Sequence, residues 1–292
     1  MKVLLVTHGW HTDYLTDSIT HGLYTLLGED LTHTEECRYM YRDLISKDHL
    51  FLGTYGRGFT LSAILPKYLN DNSDLENKIK NKYFDYIVYG TIQNCRTYLP
   101  LVLEHYPKNK IIKINTDDGP YFDSLEFDDG VPYFKRELFE YTHHKNLFPI
   151  SYTFPEEKIV KNPQDIKKER FIAEYIPRFT NGYIYENEED YYKGYQISNF
   201  GLTTRKAGWD CMRHYEILAN YCMPYFPDLK DCPEPVMHNF PKKEILRANE
   251  LYKKFNEQEY YDLLNTVFEH TKTHLTTTAS IKYILDTVNK HI

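Results

Sequence analysis

"KVLLVTHGWHTDYLTDSITHGLYTLLG", Lys2 to Gly28, reads as a strand followed at once by a helix. Val3 to Val6 are continuously apolar, the pattern of a strand buried on both faces of a parallel sheet. Leu15, Ile19, Leu23 and Leu26 then recur at helical spacing, and Gly28 supplies the stop. The same alternation returns downstream. "FDYIVYG" and "KIIKIN" are strand-like and flank the helix-like "CRTYLPLVLEHYP", while "VPYFKREL" and "LFPISYTFP" close the series. Strands alternating with helices predict an open α/β sheet.

Near Pro155 the texture changes. "PEEKIVKNPQDIKKER" is charged and Pro-punctuated, as a crossover between domains would be. Beyond it "RFIAEYI", "NEEDYYKGYQ", "SNFGLTT", "CMRHYEILANY" and "CMPYF" alternate again between strand and helix. "KKEILRANELYKKF" is amphipathic, with Ile245, Leu246, Leu251 and Phe255 on or near one face, and the tail reads as two helices broken near Thr276. The prediction is two Rossmann-like domains facing a cleft, residues 1–154 and 155–292, an ordinary division for a chain of 292 residues.

Composition narrows the function classes. Hydrophobic residues make up 41% and charged residues 26%, which fits a folded soluble protein. The 28 tyrosines fit codon bias as readily as sugar stacking. A net charge of −7 leaves no basic footprint for nucleic acid at whole-chain level. The five cysteines are odd in number and contain no C-x-x-C, which predicts a reduced, cytoplasmic setting. "MKVLLV" is too short for a signal-peptide core, and no 18-residue apolar run follows it.

The densest chemistry lies in "GWDCMRHYEILANYCMPYFPDL", Gly208 to Leu229. At roughly 100° per residue, Trp209, Arg213, Glu216 and Asn220 fall on one line, beside an apolar face of Met212, Tyr215, Ala219 and Cys222. With Asp210 as N-cap, the polar stripe starts at Arg213. A surface Arg213–Glu216 pair, worth only ~0.3 kcal/mol, accounts for the stripe as well as a binding role does. Just upstream, Gly201 and Gly208 bracket Thr203, Thr204, Arg205 and Lys206. Such a loop is either a diphosphate cradle at a helix N-terminus or a solvated turn. Its position directly before a Glu-bearing helix would set a phosphate cradle beside a clamp for ribose hydroxyls.

At the other end, His8 and Gly9 close the first strand, where ligands sit in open α/β sheets. Asp17 and His21 are i,i+4 neighbours opposite Leu15 and Ile19, with Asp13 one turn earlier. A carboxylate-oriented imidazole could take a proton, and a plain surface ion pair would show the same spacing. His8 and His11 could position phosphate or sugar. "YGRGF" (Tyr55 to Phe59) offers an Arg to an anion or is simply a turn. Asp117 and Asp118 could bind sugar hydroxyls or a metal, whereas Asp128 and Asp129 read as a turn. Cys232 and His238 are too few for a zinc site, and no metal is expected.

The Gly208–Leu229 stretch resembles the C-terminal motif of GT-B glycosyltransferases, with Glu216 at the ribose-binding glutamate and Ala219 and Pro224 matching. "DYLTDSITHGLYTLLG", "YGRGFTL", "PYFKREL", "PISYTFP" and "GLTTRKAGWDCMRHYEILA" are similar to glycosyltransferase-family-1-like proteins of bacteria and phages, over most of the chain. Two positions depart from the motif. The first glutamate of E-x7-E is Gly208, with Asp210 near but not equivalent, which counts against a retaining mechanism of that type. Tyr221 stands where a small residue is usual.

The resemblance implies a metal-independent transferase with no cofactor beyond a nucleotide diphosphate sugar. Residues 155–292 would hold that donor through Thr203 to Lys206, Trp209 and Glu216, with Arg213 on the leaving charge and His8 reaching in from the first strand. Residues 1–154 would hold the acceptor, a glycan or other hydroxyl compound, and a base among Asp13, Asp17 and His21. Two alternatives remain: transfer to a modified base of phage DNA, disfavoured by the net charge, and a non-catalytic sugar- or nucleotide-binding protein.

Overall fold

The first strand and helix form where the apolar pattern places them, as β1 (Val3–Val6) and α1 (Tyr14–Leu27). The computed structural model describes residues 1–9, 12–35, 37–45, 60–69, 71–121, 129–140, 144–174 and 184–291. There follow β2 (Leu31–His33), α2 (Leu75–Lys80), β3 (Tyr86–Tyr89), α3 (Leu99–His105), β4 (Ile111–Asn115), β5 (Tyr133–Lys135) and β6 (Leu147–Pro149). The six strands make one parallel sheet in the order β2-β1-β3-β4-β5-β6. Apolar clusters cover both faces, one around Leu4, Ile87 and Tyr133 and one around Leu5, Ile19 and Phe134. That double burial is why β1 and β3 read as unbroken apolar runs and β4 departs from one only at Lys113 and Asn115.

The second half builds a smaller parallel sheet, β7-β8-β9, from β7 (Arg170–Ile172), β8 (Ser198–Leu202) and β9 (Met223–Tyr225). Its connections are α4 (Glu188–Gln196) and α5 (Met212–Ala219), and α6 (Lys242–Lys253), α7 (Glu257–His274) and α8 (Thr277–His291) complete the chain. The break at Thr276 falls as predicted. α8 then leaves the second sheet and packs on α1, placing Ile281, Ile284 and Val288 in the core of the first. Gly22 permits this approach, because a Cβ there would lie 2.5 Å from the Thr277 carbonyl oxygen. Among the described residues, no helix is long and apolar enough to cross a membrane.

Two details differ from expectation. β2 and α2 carry too few apolar residues to register as periodic segments. α5 is shorter than "CMRHYEILANY" predicts, and its N-cap is Cys211 rather than Asp210. It ends because Tyr221 takes a left-handed φ of 52°, turning the chain into β9. The Tyr221 ring packs edge-on against Phe268 and its hydroxyl donates to Asn265 at 2.6 Å, offsetting a conformation that costs a non-glycine roughly 1–2 kcal/mol.

Candidate active site

A cavity of about 700 Å³ opens where the C-terminal ends of the first sheet's strands meet the second half. Ligands in open α/β sheets gather at these strand ends. Thr12 to Tyr14 follow β1, Gln93 and Asn94 follow β3, Thr116 to Asp118 follow β4, and Arg136 follows β5. From the other side come Lys206 to Gly208, the turn from Asp210 to Arg213, Glu216, and Tyr191 of α4.

Arg136 organises the first half's contribution. It is 1% exposed, and its Nε donates to the Thr116 carbonyl at 3.0 Å. Nη1 donates to Glu137 at 3.2 Å and to the Asp210 carbonyl at 2.9 Å, and Nη2 donates to Asp118. The guanidinium also lies 4.9 Å from the Tyr152 ring centre. Asp210 is buried, and its carboxylate accepts from the Tyr152 amide and the Tyr215 hydroxyl, each at 2.7 Å. Burial pushes the Asp210 carboxyl up to about 7, despite the opposing Arg136 charge. Lys135, beside it, donates to the Asn115 side chain and the Asp117 carbonyl at 3.0 Å, and burial pushes its ammonium down to about 8.

On the second half, Arg213 and Glu216 both reach the cavity from α5. They are 5% and 9% exposed, which removes the surface-pair reading. Glu216 accepts from the Thr60 hydroxyl on one oxygen and from Tyr191 on the other, both at 2.5 Å. Each carboxylate oxygen has a second lone pair, so ribose hydroxyls can still be accepted. Cys211, Met212 and Arg213 bring the N-terminal turn of α5 to the cavity wall beside Lys206, a combination suited to an anion.

Of the three acidic or basic groups expected near the acceptor, the structure brings Asp13 alone to the cavity. It caps α1 through Oδ1, accepting from the amides of Leu15 at 3.1 Å and Thr16 at 3.0 Å, while Oδ2 accepts from the Thr116 hydroxyl. Burial raises its carboxyl above the usual range, with those hydrogen bonds and Arg136 pulling the other way. Asp17 and His21 lie elsewhere and are not paired as their spacing invited. Residues Leu15 to Leu23 are buried without a break, so the polar face of α1 meets protein rather than the cleft. Asp17 accepts from Tyr39; His21 contacts Thr277 at 2.8 Å and Glu157 at 3.0 Å.

The expected diphosphate loop divides likewise. Lys206 lines the cavity, but Thr203 is fully buried, its hydroxyl 2.8 Å from His214 Nδ1. Trp209 is 5% exposed and stacks beneath the Arg205 guanidinium, 5.0 Å away. His8, Thr204 and Arg205 are not among the residues lining the cavity. His11 and the "YGRGF" motif lie outside the described residues, as does Asp128. Asp129 pairs with Lys113 at 2.5 Å. Among the described residues, one group of potential metal ligands converges, His21 with Glu156 and Glu157. It sits at the α1–α8 joint, where Glu156 accepts from Thr277 and Thr278. Arg136 and Glu137 were missed by sequence reasoning. The available signal was the charged "KRE" directly after the strand-like "VPYF".

No family model and no curated protein matches the sequence. Among solved structures, the chain is similar to an alpha-glucosyltransferase in complex with UDP and a 13-mer DNA containing a central A:G mismatch. That likeness covers 99% of each chain at 12% identity, with a TM-score of 0.52. The chain has the GT-B fold. A second alpha-glucosyltransferase complex, with UDP and a 13-mer DNA containing a HMU base, is similar over 99% of this chain and 100% of that one. It has 11% identity and a TM-score of 0.44. In this GT-B chain the cavity lies between the strand ends of the first sheet and the loop and helix that follow β8.

Proposed function

We propose that the chain is a glycosyltransferase that moves a sugar from a nucleoside diphosphate sugar to a hydroxyl acceptor without a metal ion. One observation carries this reading: Lys206, Arg213 and the N-terminal turn of α5 share a single cavity with Glu216 and, from the opposite half, Asp13. Glu216 accepts the ribose hydroxyls. As the bond between the anomeric carbon and the diphosphate oxygen breaks, Lys206, Arg213 and the helix N-terminus take up the leaving charge. The acceptor oxygen forms the new bond to that carbon, and its proton passes to Asp13, which afterwards returns it to solvent. Residues 1–154 hold the acceptor in this reading and residues 155–292 the donor, with α8 bracing the first sheet.

The similar GT-B structure is a complex with UDP, which puts uridine donors first. It also contains DNA, which supports a second acceptor reading, a modified base in DNA. A net charge of −7 favours a glycan or small hydroxyl compound instead. The test is nucleoside diphosphate release from UDP-, GDP-, ADP- and dTDP-sugars by wild type beside Glu216→Ala. Release from one donor class, lost in the variant, supports the proposal. No release, together with no thermal shift by any nucleotide, overturns it. Labelled sugar offered to glycans and to modified-base duplexes then separates the acceptors.

A further inference from the structure

Gly208 stands where E-x7-E enzymes carry their first glutamate. A Cβ there would lie 2.5 Å from Glu137 Oε1, 2.9 Å from its Cδ and 3.2 Å from Arg136 Nη1. The space that a side chain at 208 would need is thus filled by a carboxylate from the other half of the molecule. Glu137 is completely buried. Its Oε2 accepts from the Trp209 amide at 3.1 Å and its Oε1 from the Asp210 amide at 2.9 Å. Arg136 donates to the Asp210 carbonyl, and the Asp210 carboxylate accepts from the Tyr152 amide. Gly208, Trp209 and Asp210 are therefore fastened to the first half, and they lie between Lys206 and the start of α5.

We propose that Glu137 is a positioning residue for the donor, fixing the 206–211 loop so that Lys206 and the α5 N-terminus face the cavity only when both halves are together. This rests on reading the cavity as the donor site. Glu137 does not line the cavity and so acts through the loop. Donor binding and apposition of the halves then stabilise each other.

Glu137→Gln keeps the size of the side chain but sets an amide N–H₂ against a backbone N–H, donor facing donor. Calorimetric titration with UDP is expected to show about tenfold weaker binding, the consequence of one buried amide losing its acceptor. The KM for a UDP-sugar rises by the same factor, with kcat held within about threefold. Gly208→Ala should weaken UDP comparably in wild type and add nothing in a Glu137→Ala background, where the carboxylate is gone. UDP affinity unchanged in Glu137→Gln, or additive losses in the double variant, overturns the proposal.

A second readout needs no ligand. Hydrogen exchange at the Trp209 and Asp210 amides should speed by about tenfold or more in Glu137→Gln. Unchanged exchange at both overturns the inference. If wild type binds none of the four nucleoside diphosphates, the donor-site reading fails, and so does any role for Glu137 in donor binding.

Discussion

Asp13→Asn separates a proton-accepting role from a structural one. Oδ1 caps α1 by accepting two backbone amides, and asparagine caps helices about as well as aspartate. The Thr116 hydroxyl now donates to Oδ2, and it can rotate to accept from an amide nitrogen instead. Stability should therefore change by no more than about 0.5 kcal/mol. Removing a general base, in contrast, lowers turnover by about 10²–10⁴-fold, or roughly 3–5 kcal/mol of barrier. Burial raises the Asp13 carboxyl, so wild-type kcat should fall as pH drops through a value above the ordinary carboxylate range. That acid limb should vanish in the variant. The assay is sugar transfer to whichever acceptor wild type uses, with donor KM measured alongside urea unfolding. Turnover within about threefold of wild type, in a variant of unchanged stability, refutes the assignment of the base.

Three further outcomes follow from particular contacts. Tyr191→Phe removes the hydroxyl donating to Glu216 at 2.5 Å; losing a hydrogen bond to a charged group should raise donor KM by about tenfold or more, read from initial rates. Gly22→Ala forces a methyl against the Thr277 carbonyl and Ile281, and should cost roughly 1–3 kcal/mol in urea unfolding. Asp210 is held protonated up to about 7 in the fold against 3.8 when free, so its contribution to stability is fully present below 3.8 and lost as pH rises through 7. Asp210→Asn keeps a neutral side chain at every pH, so its stability relative to wild type should be higher at pH 8 than at pH 5, by at most roughly 3 kcal/mol. An unchanged difference between the two pH values would show that the proton is not bound as the burial implies.

The legible part of this fold was the part encoded locally. β1, β3 and β4 announce themselves because both sheet faces are covered and nearly every residue along them is apolar. Glu216 and Arg213 were legible because one helix carries both, and helix geometry puts them on a common side. Asp17 and His21 satisfied the same geometric test and failed it in three dimensions. Their face of α1 is covered by Tyr39 and by Thr277 of α8, an element more than 250 residues away whose return to the first sheet no local pattern records. Arg136, Glu137 and Gly208 were opaque for a related reason. Glycine at 208 looks like a missing catalytic group until the distant carboxylate occupying its space is seen.

Whole-chain charge misleads for the same reason that local pattern does. The chain is acidic by seven charges, and carboxylates line the cavity as well, Asp13, Asp117, Asp118, Asp210 and Glu216 beside Arg136, Lys206 and Arg213. Arg136, which lines the cavity, and Lys135 beside it are held by Asp118, Asn115 and the Asp117 carbonyl. Lys206 and Arg213 enter from the opposite half and line the cavity itself. The field at a bound diphosphate depends on where the individual charges sit and how low the local dielectric is, rather than on the sum over the chain. An anionic donor is thus compatible with an acidic protein. A polyanionic acceptor would have to approach a chain of net charge −7, so transfer should depend steeply on salt for DNA and little for a glycan.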